Sequence, residues 1–202
     1  MPRVAAERLE SRRNELVEAA RAVFARHGYE QTTISLIARC AGVSDGLLYR
    51  YFSSKRDLLQ AVLDAFYERL IDHIDTCVAR EHDFSSRLHT LVHEHVRTFI
   101  DDPAMCRLFI AEVRNFDDYF GSEAHALNRR YTSVLMRVLD GGKEDGLLAP
   151  DIDGRLVRDM LFGGIEHLAW RHILAGQELD LEGLASGVSG LLLNGLLGRR
   201  RT

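Results

Sequence analysis

The sequence predicts an all-α protein of about nine helices. Three observations lead to this prediction: only 3 prolines occur in 202 residues, helix-forming leucine, alanine, arginine and glutamate fill long stretches, and apolar residues recur at helical spacing. With 46% hydrophobic residues the chain can bury a sizeable core, which argues against low complexity and disorder.

Four helices are predicted over the first 79 residues, each marked by a suitable end residue. Their predicted ranges are 5–27, 34–41, 45–52 and 54–79. The end residues are Gly28 as the stop of the first helix, Thr33 and Ser44 as N-caps, and Ser54 with Asp57 as a capping box. Because only a few residues join the second and third helices, these two must cross at a steep angle, which is helix-turn-helix geometry.

Five further amphipathic helices are predicted beyond residue 79, joined by short polar segments. Their predicted ranges are 84–101, 103–118, 122–144, 153–175 and 180–197. Pro103 suits the first turn of a helix, and Asp153 and Asp180 suit N-caps. No flexible linker is evident, so we expect the helix over 54–79 to connect the N-terminal helices rigidly to the rest of the chain.

The charge of the chain is unevenly distributed. The net charge is −4, but residues 1–56 hold ten Lys and Arg against six Asp and Glu, a net +4 that leaves −8 for the remainder. A basic segment on an otherwise acidic protein is typical of a molecule that meets phosphates at one end. The pattern therefore favours nucleic-acid binding by the N-terminal helices.

The run TTISLIARCAGVSDGLLYRYFSSKRDLL carries the most specific pattern in the chain. It resembles the DNA-binding signature of the TetR/AcrR family, in which Thr opens the second helix, Ala-x-x-Ala-Gly-Val leads into the turn, and Ser-x-Gly-x-Leu-Tyr-x-His/Tyr-Phe-x-x-Lys forms the recognition helix. The matching residues are Thr33, Ala38, Ala41, Gly42, Val43, Ser44, Gly46, Leu48, Tyr49, Tyr51, Phe52, Lys55 and Leu58. The resemblance implies a helix-turn-helix DNA-binding domain over 1–54 and a ligand-binding and dimerisation domain over 55–202.

Physical roles follow for many residues of this run. Val43, Leu48 and Phe52 are expected to share a buried face, while the outward residues either contact double-stranded DNA or form an ordinary solvated face. The predicted base readers on the first turns of the recognition helix are Ser44, Asp45, Gly46, Leu47 and Tyr49. The predicted phosphate contacts are Thr33, Ser35, Tyr51 and Lys55. Asp45 either accepts from a cytosine amino group or lowers the affinity for non-specific DNA.

Glycines recur at helical spacing in the last two predicted helices. They are Gly163 and Gly164 in one helix and Gly183, Gly187 and Gly190 in the other. Each glycine inside a helix costs roughly 0.8–1 kcal/mol relative to alanine, so several together indicate close approach of another backbone. Packing within the chain is one explanation, and the family resemblance implies another, a homodimer. The predicted dimer surface is Trp170, Leu184, Gly187, Val188, Leu191 and Leu192.

The larger part of the chain is predicted to bind a small hydrophobic or amphipathic effector. His95 joins the apolar stripe of the helix over 84–101, either as a core histidine or as a polar group in a pocket. The candidate pocket residues are His95, Phe99, Phe109, Phe116, Tyr131, Phe162, Glu166 and His167. The segment DMLFGGIEHLAWR is loosely similar to the corresponding helix of family members that respond to acyl-CoA thioesters. We expect the effector to shift the fourth helix and release a pseudo-palindromic operator, which makes the protein a repressor.

Cysteine and histidine spacing gives a weaker indication of metal chemistry. Cys40, Cys77 and Cys106 are odd in number and form no CxxC motif, so they are expected to be free and mostly buried thiols. His89 and His93 stand four residues apart, a spacing that either holds a metal or lies on a solvated helix face. We predict no metal and no cofactor, and the sequence leaves the His89/His93 question open.

Several classes of protein are not expected. No nucleophile elbow, phosphate loop or HExxH motif occurs, so the sequence does not predict an enzyme. No apolar run reaches the roughly 18–20 residues that span a bilayer, and the first residues lack the apolar core of a signal peptide, so a cytoplasmic location is expected. The alternative to a regulator is a helical protein-binding adaptor without sequence-specific DNA binding.

Overall fold

The computed structural model describes residues 2–196, and all the regular elements within this range are helical. The helices are α1 Pro2–His27, α2 Ile34–Cys40, α3 Asp45–Tyr49, α4 Lys55–Ala79, α5 Phe84–Asp101, α6 Pro103–Ala111, a 3₁₀ turn Val113–Asn115, α7 Glu123–Glu144, α8 Gly154–Ala175 and α9 Leu181–Leu196. The predicted all-α fold of about nine helices is thus confirmed. Across the same range, none of the helices is both long and apolar enough to cross a membrane.

The predicted N-caps form where local chemistry requires them. Thr33 accepts a hydrogen bond from the Leu36 amide at 3.2 Å, and Ser44 accepts from the Leu47 amide at 3.3 Å. Asp153 and Asp180 likewise accept from amides of the first turns of α8 and α9. These bonds satisfy amides that the helix itself leaves without an acceptor, so each helix starts where its cap stands.

The recognition helix α3 is shorter than predicted. It ends at Tyr49 instead of residue 52, because the chain turns there and buries the Phe52 ring. The next helix starts at once: the Asp57 amide donates to Ser54 Oγ at 3.0 Å, and the Asp57 carboxylate accepts from the Ser53 amide at 2.8 Å. In the predicted capping box the Asp57 carboxylate would accept from the Ser54 amide. Here it accepts from the amide of the preceding residue, Ser53, so the box forms in a shifted variant.

The chain forms two compact units. The first unit holds the residues up to Tyr67 together with Arg107–Leu127. In it α2 packs against α1 and α3, and the turn between α2 and α3 passes through Gly42 at φ +66°, a left-handed conformation that glycine adopts without strain. Fully buried side chains of this unit are Leu16, Ala20, Phe24, Ile37, Leu48, Leu58 and Val62.

The second unit holds Glu68–Cys106 and the chain from Asn128 onward. In it α5 packs against α8 and α9. Its buried core includes Leu88, Val92, Val96, Leu135, Leu139, Ile165, Ala169 and Ala185. At Gly142 a Cβ atom would lie 2.7 Å from Phe84 Cδ2, so this helical glycine lets the Phe84 ring lie directly on the α7 backbone.

The division between the two compact units falls inside α4, and the predicted functional domains over 1–54 and 55–202 stay a prediction. The first turns of α4 belong to the first unit, where Leu58, Val62 and Leu63 are fully buried. The segment Arg107–Leu127 also joins this unit, which no feature of the linear sequence indicates. The helix α4 therefore belongs to both units, and the boundary lies within it after Tyr67.

The predicted helix over 103–118 was wrong in its second half. It ends at Ala111, because the Glu112 carboxylate accepts from the Tyr29 amide at 2.6 Å within the first unit. Residues 113–115 then form the 3₁₀ turn, and the Phe116 ring packs on Tyr29 with ring centroids 5.2 Å apart. A contact between residues 83 positions apart thus overrides the helical pattern.

The expectation of mostly buried thiols was also wrong in part. All three cysteines are free, and Cys106 is buried. Cys40 is exposed at the last position of α2, and Cys77 is half-buried on α4, where its sulfur faces His73.

Candidate DNA interface and effector site

The recognition helix α3 presents one buried side and one open side. Leu48 is fully buried and fixes the helix on the first unit, whereas Ser44, Asp45 and Gly46 are exposed and the Tyr49 side chain is 55% exposed. Apart from the chain neighbours of Gly46 and the backbone of its own helix, no described atom lies within 4 Å of a Cβ built on Gly46, so the backbone is open to close approach there. Recognition helices enter the major groove with the residues of their first turns towards the base edges, and at the start of α3 the residues Ser44, Asp45 and Gly46 are exposed.

Two of the predicted DNA contacts are bonded to each other. The Ser35 hydroxyl on α2 donates to the Asp45 carboxylate on α3. This bond ties the two helices of the helix-turn-helix together at their exposed ends. It gives Asp45 and Ser35 a structural role, and their contact with DNA stays a prediction.

Lys55 makes contacts within the first unit that the sequence does not indicate. Its ammonium donates to the carbonyl of Tyr29 at 2.8 Å and to that of Thr32 at 3.0 Å, and it lies 4.2 Å from the centre of the Tyr29 ring. These contacts fix the loop that leads into α2. The Lys55 ammonium thus supports the helix-turn-helix from within the first unit, and a phosphate contact from it remains a prediction.

The remaining predicted phosphate contacts lie at helix ends. Thr33 is exposed at the amino end of α2, and Tyr51 is half-buried just after α3. Two exposed arginines were not assigned roles by motif reasoning: Arg39 in the last turn of α2 and Arg50 at the C-cap of α3. The excess of basic residues over 1–56 is the signal that points to them, since cations near α3 suit the DNA backbone.

A buried polar pair lies inside the second unit. His95 Nδ1 is 2.5 Å from the Tyr131 hydroxyl, and both residues are buried. The rings of Phe162 and Phe99 lie with their centroids 4.6 Å and 5.2 Å from that of His95. Four of the predicted effector residues therefore meet in one mainly apolar cluster.

Burial decides the charge state of this pair. Removal from water lowers the pKa of His95 to about 3, so the ring is neutral at physiological pH. Burial also raises the pKa of the Tyr131 hydroxyl far above its usual value. The Nε2 atom of His95 has no hydrogen-bond partner among the residues that the structure describes. When Nδ1 accepts from Tyr131, Nε2 carries the proton and is a buried donor that an acceptor on a ligand would satisfy.

The buried histidine makes stability depend on pH. An unfolded His95 binds a proton below about pH 6.5, whereas the folded ring does so only near pH 3. The free energy of unfolding should therefore decrease as the pH is lowered below 6.5. His95 contributes up to about 1.4 kcal/mol of this decrease per pH unit. In urea titrations at pH 7 and pH 5, we expect His95→Gln to lose about 2 kcal/mol less than the wild type. Equal losses in the two proteins would contradict this assignment, and the exposed His82→Gln serves as the control.

Two of the other predicted effector residues have aromatic partners in the first unit. Phe109 packs on Tyr67 and Phe116 on Tyr29, both within the first unit. On α8, Glu166 is half-buried and His167 is exposed. Aromatic packing accounts for Phe109 and Phe116 without a ligand, so their part in an effector site stays a prediction.

The outer surfaces of α8 and α9 combine exposed apolar side chains with open glycines. Leu191 is 78% exposed, and Met160, Leu168 and Leu174 on α8 are exposed as well. Of the predicted dimer residues, Trp170, Leu184, Val188 and Leu192 are half-buried, and Gly187 is exposed. A Cβ built on Gly163, Gly164, Gly187, Gly190 or Gly195 would meet no described atom within 4 Å outside its own helix backbone and its chain neighbours. Contacts among the described residues of other elements therefore do not explain these glycines. Gly183 differs, since a Cβ there would meet Asp180.

Two family models match the chain. The model for bacterial regulatory proteins of the tetR family matches residues 16–62, and the model for the C-terminal region of YsiA-like proteins matches residues 64–195. The first match covers the helix-turn-helix and the start of α4. The second covers most of the remaining chain, including the cluster around His95.

Solved and curated proteins of similar sequence agree with these matches. The fatty acid degradation regulator FadR from Bacillus halodurans is 30% identical, with 93% of this chain and 97% of that chain covered and a TM-score of 0.82. FadR from Bacillus subtilis, solved in complex with stearoyl-CoA, is 26% identical over 90% of this chain and 98% of its own, with a TM-score of 0.81. The transcriptional repressor KstR2 from Mycobacterium tuberculosis is 29% identical over 97% of this chain and 100% of its own, and its structure is described as that of a ketosteroid transcriptional regulator.

Proposed function

Because the chain belongs to the TetR family of bacterial regulatory proteins, we propose that it is a dimeric repressor that reads operator DNA with α3 and releases it when an acyl-thioester effector binds. The observation that carries the DNA-binding part is the open face of α3, which is fixed by buried Leu48 and presents Tyr49 to solvent. The relatives are named as transcriptional regulators, which favours this function over a protein-binding adaptor. The proposal includes no catalytic step and places the protein in the cytoplasm, where bacterial DNA lies.

Dimerisation is required by the small size of the reading element. A five-residue helix covers too few base pairs for selective binding, so two copies must read half-sites about 34 Å apart or a multiple of that distance. The surface of α8 and α9 supports a two-fold contact, because exposed leucines there would be removed from water. Two such helix pairs can approach closely at Gly163, Gly164, Gly187 and Gly190. We therefore place the dimer interface on this surface.

The effector class follows from the chemistry of the His95 cluster. A long acyl chain suits apolar neighbours such as the Phe99 and Phe162 rings that pack on His95, and a thioester carbonyl would accept the Nε2 proton of His95. The stearoyl-CoA complex of Bacillus subtilis FadR supports the same class. Release of DNA requires the effector to bind the DNA-free state more tightly than the DNA-bound state, so the His95 cluster must differ between the two states.

A release assay tests this proposal. Operator duplexes selected from random DNA by the purified protein are labelled, and fluorescence anisotropy is followed during titration with stearoyl-CoA, coenzyme A, stearate or a ketosteroid. We expect stearoyl-CoA to release the DNA while coenzyme A and stearate do not. The variant His95→Phe should bind the operator normally but need about tenfold more stearoyl-CoA, since one buried hydrogen bond is worth about 1–1.5 kcal/mol.

Other outcomes would overturn separate parts of the proposal. Failure to select any DNA sequence would remove the repressor function. Release by the ketosteroid and not by stearoyl-CoA would leave the repressor intact but refute the acyl-thioester class. Wild-type release from His95→Phe would show that His95 does not contact the effector.

A further inference from the structure

Three different metal-binding side chains meet within the second unit, away from the His95 cluster. His73 and Cys77 stand four residues apart on α4, so they lie on one face of that helix, and Glu94 reaches them from α5. His73 Nε2 is 2.9 Å from Glu94 Oε2 and 3.8 Å from Cys77 Sγ. All three potential ligand atoms lie within 4.8 Å of one another.

These separations suit a tetrahedral zinc site. Zinc binds sulfur at about 2.3 Å and histidine nitrogen or carboxylate oxygen at about 2.0–2.2 Å, which places ligand atoms about 3.3–3.8 Å apart. The His73–Glu94 distance of 2.9 Å lies just below this range, the His73–Cys77 distance of 3.8 Å lies at its upper end, and the Cys77–Glu94 distance is at most 4.8 Å. Small side-chain rotations therefore bring all three atoms onto one ion without movement of either helix backbone.

Glu94 is held in the orientation that the site needs. Its side chain is only 9% exposed, and its Oε1 atom is 3.0 Å from His93 Nδ1 and 3.7 Å from Arg97 Nη1. His93 in turn lies 3.1 Å from Glu182 on α9 through its Nε2 atom. Outer contacts of this kind orient a metal ligand, and here they leave the Oε2 atom turned towards His73.

The histidine pair with metal-like spacing in the sequence is used differently. His89 Nδ1 lies 3.0 Å from the Ser189 hydroxyl, and His93 lies between two carboxylates. The ring centroids of His89 and His93 are 6.3 Å apart. These two histidines thus have polar partners of their own. The candidate metal ligands are instead His73 and Cys77, which lie on the Oε2 side of Glu94.

An open cleft gives solvent access to the cluster. Its volume is about 340 Å³, and Cys77, His93, Glu94 and Glu182 are among its lining residues. A metal ion can therefore enter from solvent, and a water molecule in the cleft can supply a fourth ligand. The cleft walls carry the carboxylates of Glu81, Glu94 and Glu182 and the guanidinium of Arg80. Even with Arg97 close to Glu94, the carboxylates are in excess, which favours a cation.

We propose that His73, Cys77 and Glu94 form a binding site for Zn²⁺ or a similar divalent transition metal, which joins α4 to α5 inside the second unit. The metal takes the place of the hydrogen between His73 Nε2 and Glu94 Oε2, the neutral imidazole then carries its proton on Nδ1, and the Cys77 thiol releases its proton to solvent on binding. No oxidation or reduction takes place. The mixture of thiolate, imidazole and carboxylate selects a borderline-soft ion over Mg²⁺ or Ca²⁺.

Cobalt spectroscopy on the full-length protein tests this site. Reduced wild-type protein titrated with Co²⁺ should develop a sulfur-to-metal charge-transfer band and the strong visible bands of tetrahedral cobalt, saturating at one ion per chain. Zn²⁺ added afterwards should remove both signals. We expect Cys77→Ser to lose the charge-transfer band and His73→Ala to bind at least tenfold more weakly, while Cys40→Ser and His89→Gln match the wild type.

The variants are chosen so that a folding defect cannot imitate a lost site. His73 and Cys77 are not buried, so circular dichroism of both variants should equal that of the wild type. As a second readout, Zn²⁺ should raise the Tm of the wild type and of Cys40→Ser but not of Cys77→Ser, because only a site in the folded state stabilises it. Absence of a charge-transfer band in the wild type, its survival in Cys77→Ser, or its loss in Cys40→Ser would refute the site.

Discussion

Replacement of Tyr49 by alanine is expected to lower operator affinity by at least about thirtyfold. The side chain is 55% exposed on the open face of α3, so its loss removes little from the core of the first unit. A base-reading side chain contributes about 1–3 kcal/mol, and a dimer loses the contact in both half-sites. Fluorescence anisotropy with the selected operator measures the change directly.

The salt dependence of operator binding distinguishes a base-reading residue from a phosphate contact. Loss of a base reader should leave the salt dependence of binding unchanged, because the number of neutralised phosphates stays the same. The matched control is Phe120→Ala, which removes an aromatic ring that is 85% exposed on the first unit outside α3. Wild-type operator affinity in Tyr49→Ala would show that α3 does not read DNA through this residue.

Replacement of Leu191 by glutamate is expected to convert the dimer into a monomer. The side chain is 78% exposed in the single chain, so a carboxylate there costs the isolated protein little. In the proposed interface it would be buried without a partner, at a cost of several kcal/mol. Sedimentation velocity should show a monomer at concentrations where the wild type is dimeric, with operator affinity reduced in parallel. Leu147→Glu, exposed just after α7, should remain dimeric.

Gly187→Ala gives a more sensitive test of the same interface. Outside α9 itself, none of the described atoms lies within 4 Å of the added Cβ, so alanine should stabilise α9 by roughly 0.8–1 kcal/mol through helix propensity alone. In a closely packed dimer the methyl group would instead hold the two backbones apart. We therefore expect Gly187→Ala to raise the free energy of unfolding of the chain and to weaken its self-association. A dimer unaffected by both Leu191→Glu and Gly187→Ala would place the interface elsewhere.

Features that depend on neighbouring residues were predictable from the sequence. The caps Thr33, Ser44, Asp153 and Asp180 all act on amides two or three residues away. The recognition helix could be located because its motif combines a cap, a glycine turn and buried Leu48 within a few residues. Its end was misplaced, since burial of the Phe52 ring ends α3 three residues early.

Features that depend on distant contacts could not be predicted. The end of α6 depends on the bond between Glu112 and the Tyr29 amide, and helical periodicity carries no information about it. Lys55 belongs to the motif whose residues were predicted to contact DNA, but the carbonyls that it binds become neighbours only in the folded first unit. The same holds for Glu94, which the sequence places beside His93 and the fold places beside His73.

The central claim is that one chain couples operator binding to effector binding, and reciprocity tests it most directly. The dissociation constant of stearoyl-CoA is measured by titration calorimetry with the free protein and with the protein saturated with operator. Linkage requires that saturation with DNA weaken effector binding by the same factor by which the effector weakens DNA binding, at least about tenfold for a functional switch. Equal effector affinity in the two states would show that the sites are not coupled and would contradict the proposed repressor mechanism.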